Sequence, residues 1–188
     1  MRIKHIFLTI AALFMLNGCL TSSSFYVLSL ASQPQSTYAS YNRSIGVEKV
    51  TIPAYMFKRQ IAFAKSPSQI AFMSDAEWGE DLDEGLTNRL ISFLQKKFRQ
   101  PRVYQYPWQT DTPPHKKVKL QITRFIAYGD RVYLDANWEV ETLSNRARKS
   151  RLFSTSVPTK AGNAASIVAS MDSAFRQLEE SIASGLKY

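Results

Sequence analysis

The sequence predicts an α+β fold: a single domain in which a mainly antiparallel sheet carries two main helices on one face. Three observations carry that prediction. Val118, Leu120 and Ile122, then Val132, Leu134, Ala136, Trp138 and Val140, alternate with polar residues, the period of strands with one buried face. Leu82, Leu86, Leu90 and Leu94 recur every four residues beside Ile91, Phe93 and Phe98, a helical stripe covering about half the surface. Ile167, Met171, Ala174, Phe175, Leu178 and Ile182 form a second, narrower stripe. Neither an internal repeat nor a long low-complexity linker divides the 188 residues, so residues 25–188 form one domain.

The elements follow in order. Phe25 to Leu30 is a β-rich run, and Ala31 to Ser44, rich in Ser, Gln and Tyr, is a loop. Ile45 to Ile52 is a second strand, ended by Pro53, and its inward phase slips between Val47 and Val50, the mark of a bulge. Gln60 to Ala64 and Gln69 to Met73 flank the turn Lys65-Ser66-Pro67-Ser68 and make a hairpin. The first helix spans Glu80 to Phe98, with Glu80, Asp81, Asp83 and Glu84 in its first turns and Lys96, Lys97 and Arg99 in its last, matching the macrodipole; Pro101 stops it. Arg102 to Gln105 is a short strand leading into Tyr106-Pro107-Trp108 and a loop through His115. Two long strands joined at Tyr128-Gly129-Asp130-Arg131 follow, with Leu152 to Val157 as the third strand of the meander, and Ala164 to Leu186 is the second helix.

The first nineteen residues have a different character. A basic start, Met1-Arg2-Ile3-Lys4-His5, precedes the eleven apolar-rich residues Ile6 to Leu16, too short a run to span a bilayer core of about 30 Å. Residues 1–18 are therefore expected to be a signal peptide, and Leu16-Asn17-Gly18-Cys19 resembles a lipobox, in which Cys19 is acylated and becomes the first mature residue. An ordinary secretory cleavage site beside an unrelated cysteine is the alternative. Each buried acyl CH₂ contributes about 0.8 kcal/mol, so two or three chains hold firmly where one is marginal. Residues 19–24 are the spacer between anchor and domain. Resemblance to enterobacterial lipoproteins implies that an aspartate after the cysteine would favour inner-membrane retention; Leu20 stands there instead, so the expected location is the outer membrane, facing the periplasm.

Composition narrows the function. One cysteine and two histidines, His5 and His115, exclude a thiolate or imidazole zinc cluster, and no metal or cofactor is expected. Lys plus Arg number 24 against 15 Asp plus Glu, and removal of residues 1–18 takes only Arg2 and Lys4 from the excess. An exported location and scattered basic residues argue against nucleic acid, leaving lipid headgroups or an acidic protein. No P-loop, G-x-S-x-G or G-x-G-x-x-G is present. The acidic run Asp75, Glu77, Glu80, Asp81, Asp83 and Glu84 reads as helix-start stabilisation of about 0.3–1 kcal/mol each, and no catalytic residue is assigned. Tyr106 and Trp108, beside the basic loop Lys116-Lys117, are the candidate partner-binding residues, because aromatics next to exposed charge are the composition of an interface.

Several motifs together resemble a known family. The lipobox, Phe25-Tyr26-Val27-Leu28, Ile45-Gly46-Val47, Ile52-Pro53-Ala54-Tyr55, Arg59-Gln60-Ile61 and Trp78-Gly79-Glu80-Asp81-Leu82 occur in the order seen in PqiC-type auxiliary lipoproteins of ABC transport systems. Tyr106-Pro107-Trp108, Arg124-Phe125, the Trp138 strand and the Ala/Ser-rich last helix extend the resemblance over about residues 19–186. Family members usually show Trp-Ala-Glu-Pro-Leu at residues 78–82; the missing proline makes this helix start less rigid. The resemblance implies a non-catalytic periplasmic component, anchored in the outer membrane. It would work with an MCE-domain protein and an inner-membrane ABC permease and ATPase in lipid or hydrophobic-solute transport. Sheet edges and loops would dock partner subunits or copies of the chain. Two other functions stay open: a lipoprotein carrying a lipid in a sheet–helix cavity, and a lipid-anchored hydrolase using the acidic run.

Overall fold

The periods of the sequence translate into eight strands and two helices among the described residues. The structure, a computed structural model, describes residues 23–28, 30, 33–38, 43–107 and 112–187. In chain order these hold β1 (Ser24–Tyr26), β2 (Ile45–Glu48), a 3₁₀ turn (Ala54–Phe57), β3 (Gln60–Ser66) and β4 (Gln69–Trp78). Then come α1 (Leu82–Phe98), β5 (Val103–Tyr106), β6 (Lys116–Tyr128), β7 (Arg131–Thr142), β8 (Ala147–Pro158) and α2 (Ala164–Leu186). The first strand is shorter than the β-rich run predicts, because Leu28 turns inward to full burial while Val27 stays exposed. The second ends at Glu48, and the chain touches the sheet again only at Thr51, which bridges Gln121. Val47 lies opposite Val118, so four steps on one side match three on the other, the slip expected there.

The fold is a single α+β domain, and its sheet is mixed. β6, β7 and β8 form a long antiparallel meander. The other edge of β6 forks: β2 pairs parallel with its start, and β3 pairs parallel with its end. β5 adds to β2 in parallel; β4 adds antiparallel to β3, and β1 adds in parallel to β4. The long ladders are the predicted antiparallel ones. The short parallel pairings join segments far apart in sequence, which leave no local turn signature. β8 forms the outer edge of the meander, pairing only with β7 among the described residues, with Arg148, Lys149 and Arg151 exposed along it.

Both helices cover one face. Val118, Leu120, Ile122 and the inward residues of β7 are buried with Leu86, Leu90, Phe93, Phe175, Leu178 and Ile182 in one core. α2 lies over β6, β7 and β8, α1 packs against β2 and β5, and the helices meet each other. Where they meet, Arg89 is fully buried and donates from Nε and Nη2 to the two oxygens of buried Glu179 at 3.1 and 3.2 Å. Its Nη1 reaches Asp172 Oδ1 at 2.6 Å and the Leu28 carbonyl at 3.3 Å, and the guanidinium lies 5.2 Å from the Phe175 ring centroid. One side chain thus joins both helices to the N-terminal segment.

Gly185 shows how closely α2 approaches the sheet. A Cβ there would come to 2.5 Å from Cζ3 of Trp138 and nearer still to Cη2. The indole is 1% exposed and is fixed by its Nε1 donating to Ser181 Oγ at 3.1 Å, so it has little room to move. Gly185→Ala is expected to cost about 1–3 kcal/mol, the usual range for overpacking, even though alanine is the better helix former. A denaturant melt equal to or above the wild type would contradict this packing.

Candidate functional site

Among the described residues no helix covers the second face of the sheet, and the alternation that buries one set of side chains puts the other set here. From β5 to β8 it presents Tyr104 and Tyr106, then Glu48, then Lys117, Lys119 and Gln121, then Glu141, Glu139 and Asn137, then Arg148, Ser150 and Leu152. Gly46 makes room at the β2 end: a Cβ would meet Pro114 Cγ at 3.0 Å and the Tyr106 Cβ at 3.2 Å.

An ionic network crosses the strands. Lys117 Nζ lies 3.0 Å from Glu48 and 3.4 Å from Glu141, and 5.5 Å from the Tyr106 ring centroid. Glu141 also meets Arg146 at 3.4 Å and Arg148 at 3.6 Å; Arg148 reaches Glu139 at 3.8 Å. Burial pushes the Glu141 carboxyl up, but hydrogen bonds from Lys117 and Arg146 and the charge of Arg148 outweigh it and leave it below the ordinary carboxylate value. The hydrogen bond to Glu48 likewise lifts the Lys117 ammonium above its usual value. Two depressions lie on this face. One of about 210 Å³ is lined by Lys119, Gln121, Asn137, Glu139 and Arg148. The other, of about 290 Å³, is lined by residues including Thr123, Asp135, Asn137 and Leu152. Leu152 is 83% exposed.

The predicted residues divide sharply. Tyr106, preceding a cis peptide to Pro107, and Lys117 come together on this face. Lys116 does not. It and Lys117 open strand β6 rather than forming a basic loop, and successive strand residues point to opposite faces. Lys116 is 3% exposed and donates to the Leu186 carbonyl at 2.9 Å, capping α2; burial, with Arg43 and Lys149 nearby, lowers its pKa. Cys19 and Trp108 lie outside the described residues. Glu48, Glu139, Glu141 and Arg148 were missed, although the signal was present: Lys-x-Lys at 117–119 faces Glu-x-Glu at 139–141 across the hairpin.

The acidic run is spread over structural roles. Glu77 pairs with Arg59 at 3.4 Å, and Asp83 and Glu84 both take Lys49, at 2.8 and 3.0 Å. No group of side chains able to hold a metal ion occurs among the described residues. His115 Nδ1 accepts from the Ser44 N–H at 3.2 Å and lies 2.9 Å from Ser44 Oγ, a loop-to-loop tie. No helix among the described residues is long and apolar enough to cross a membrane.

Comparison with known proteins agrees with this architecture. Residues 26–183 match the family model of the ABC-type transport auxiliary lipoprotein component. The intermembrane transport lipoprotein PqiC of Escherichia coli is 33% identical over 95 residues, which are 48% of this chain and 50% of PqiC. The chain thus spans about half the length of the curated relatives it matches. Among solved structures, an uncharacterized protein superposes with a TM-score of 0.74 at 20% identity, covering 88% of this chain and 99% of that one. Protein XCC0632 from Xanthomonas campestris gives 0.72 at 14% identity, covering 86% and 93%. Both share the fold. With the family model spanning most of the domain, the chain belongs to the ABC-type transport auxiliary lipoprotein components.

Proposed function

We propose that this lipoprotein is a non-catalytic periplasmic component of an MCE-type ABC transport system that moves lipids or other hydrophobic solutes between the inner and outer membranes. Cys19 carries the acyl anchor in the outer membrane, and the chain acts by docking the MCE-domain protein, which links it to the inner-membrane permease and ATPase. Family membership and the likeness to PqiC, named an intermembrane transport lipoprotein, support the transport role. The observation that carries docking is the sheet face away from the helices, where an almost fully exposed leucine, Leu152, lies across from Asn137 and lines a depression with Thr123 and Asp135. Tyr106 and Lys117 extend that surface, and Trp108, two residues after Tyr106 in the sequence, is proposed as a further partner contact.

Leu152→Asp tests it, since an exposed strand residue changes stability by only about 0.5 kcal/mol. The variant is expected to melt like the wild type and to lose co-purification with the MCE protein. Undiminished co-purification would remove Leu152 from the interface.

A second function, carriage of a lipid by the chain itself, is favoured by one feature. A groove of about 360 Å³ between β8 and α2 is lined by residues including Val157, Pro158, Ala165, Ala169 and Ser173, within the range of small-ligand sites of roughly 300–1,000 Å³. Lipid retained through purification, and displaced by a bulky residue at Ala169, would support it.

A further inference from the structure

We infer that the β1 end of the molecule lies on the phospholipid surface holding the anchor, with Phe25, Val27 and Phe57 in the headgroup layer beside Lys58 and Arg59. The inference rests on the acylation of Cys19 proposed above.

Phe25 is six positions after Cys19, a reach of at most about 20 Å even when fully extended. Whatever docks elsewhere, this end of the domain cannot leave the bilayer surface by more than that distance. Its side chains suit the location. Phe25 and Phe57 are each 63% exposed and Val27 is 39% exposed, while Leu28 and Met56 beside them are buried in the core. The two exposed segments flank the same strand end: the Trp78 N–H donates to the Arg59 carbonyl at 2.7 Å, and Trp78 lies opposite Tyr26 across the β1–β4 pairing. Two strand spacings, about 10 Å, therefore separate them. Exposed aromatics with adjacent basic side chains are the composition of an interfacial contact, in which rings enter the headgroup region and cationic stems reach phosphates.

The carboxylates nearby define the surface further. Glu77 takes Arg59 at 3.4 Å, and Glu80 and Asp81 join Arg59, Trp78 and Gly79 around a depression of about 240 Å³. This balance of charge fits zwitterionic phosphatidylethanolamine better than a densely anionic layer.

The test uses the full chain, purified with its acyl groups and reconstituted in phosphatidylethanolamine vesicles carrying a minor fraction of phosphatidylglycerol. With Cys19 consumed by acylation, an environment-sensitive thiol dye labels only Phe57→Cys in one sample and Leu152→Cys in another. The dye at residue 57 is expected to shift to the blue and to be quenched several-fold more by brominated lipid than the dye at residue 152. Equal, water-like emission at both positions in protein whose acylation is verified by mass spectrometry would overturn the inference and leave the lipoprotein assignment standing. Absence of acyl groups in the mass spectrum would overturn both. Repeating the pair with Phe25→Cys keeps the result independent of any local disturbance at residue 57.

Discussion

Arg89→Ala is expected to cost about 3–5 kcal/mol, a large part of the roughly 5–15 kcal/mol that holds a domain together, because it strands the buried carboxyl of Glu179 without its cation partner. The loss reaches three elements at once, since the same guanidinium bonds Glu179 and Asp172 on α2 and the Leu28 carbonyl. The site also gives stability a pH dependence. Burial pushes the Glu179 carboxyl up to about 7 despite the opposing charge of Arg89, and Asp172 and Glu180 push it the same way. Between about 4.5, where the unfolded glutamate releases its proton, and about 7, the folded chain holds a proton that the unfolded chain has lost. Stability from this group is complete below that window and falls as pH rises through it. Urea melts at pH 5.5 and 7.5, values chosen to straddle roughly the upper half of the window, should show the greater stability at the lower pH. Glu179→Gln, which keeps the shape and cannot titrate, should flatten the difference. Equal stability of the wild type at the two pH values would mean that the pair stays ionised throughout.

Leu90→Ala should cost about 2–5 kcal/mol, combining lost transfer energy with the cavity left behind. Leu90 is fully buried, as are Leu86, Phe93 and Leu94, so α1 has a rigid surround that cannot collapse around a missing isobutyl group. Denaturant unfolding of the purified protein decides this. A cost below about 1 kcal/mol would mean that the stripe is solvated or repacks freely, contrary to its complete burial.

Periodicity made most of the fold legible. The two helices stand where their stripes place them because a helix start or stop needs only local residues, as Pro101 after α1 and Asn163 before α2 illustrate; the Asn163 side chain accepts from the Ser166 N–H at 2.9 Å. The candidate site was less legible for a definite reason. Counting back from the Tyr128–Arg131 turn places Lys117 opposite Thr142, but a register shift between Ile122 and Arg124 brings it opposite Glu141. The trace in the sequence is the change of inward phase from Ile122 to Phe125, while β7 keeps its alternation without a break. At the shift, the freed Phe125 N–H donates to Tyr55 Oη at 2.9 Å, a contact between residues 70 positions apart that local patterns do not reveal. Lys116 failed for a simpler reason. Proline-rich residues before it pointed to a loop, yet Ile45 pairs with it in parallel and makes it the start of a strand.

The open edge at β8 has a consequence for the chain's behaviour in a crowded compartment. Twelve residues of strand with one side unpaired among the described residues are a template for the edge of any other sheet, and an exposed Leu152 makes that template sticky. Lys149 and Arg151, with Arg148 partly neutralised by Glu141 and Glu139, set like charges along it, so two copies approaching edge to edge repel before their backbones can pair. The cluster therefore governs colloidal behaviour more than folding energy: neutral substitutions there would leave the melt almost unchanged while lowering the concentration at which the protein precipitates.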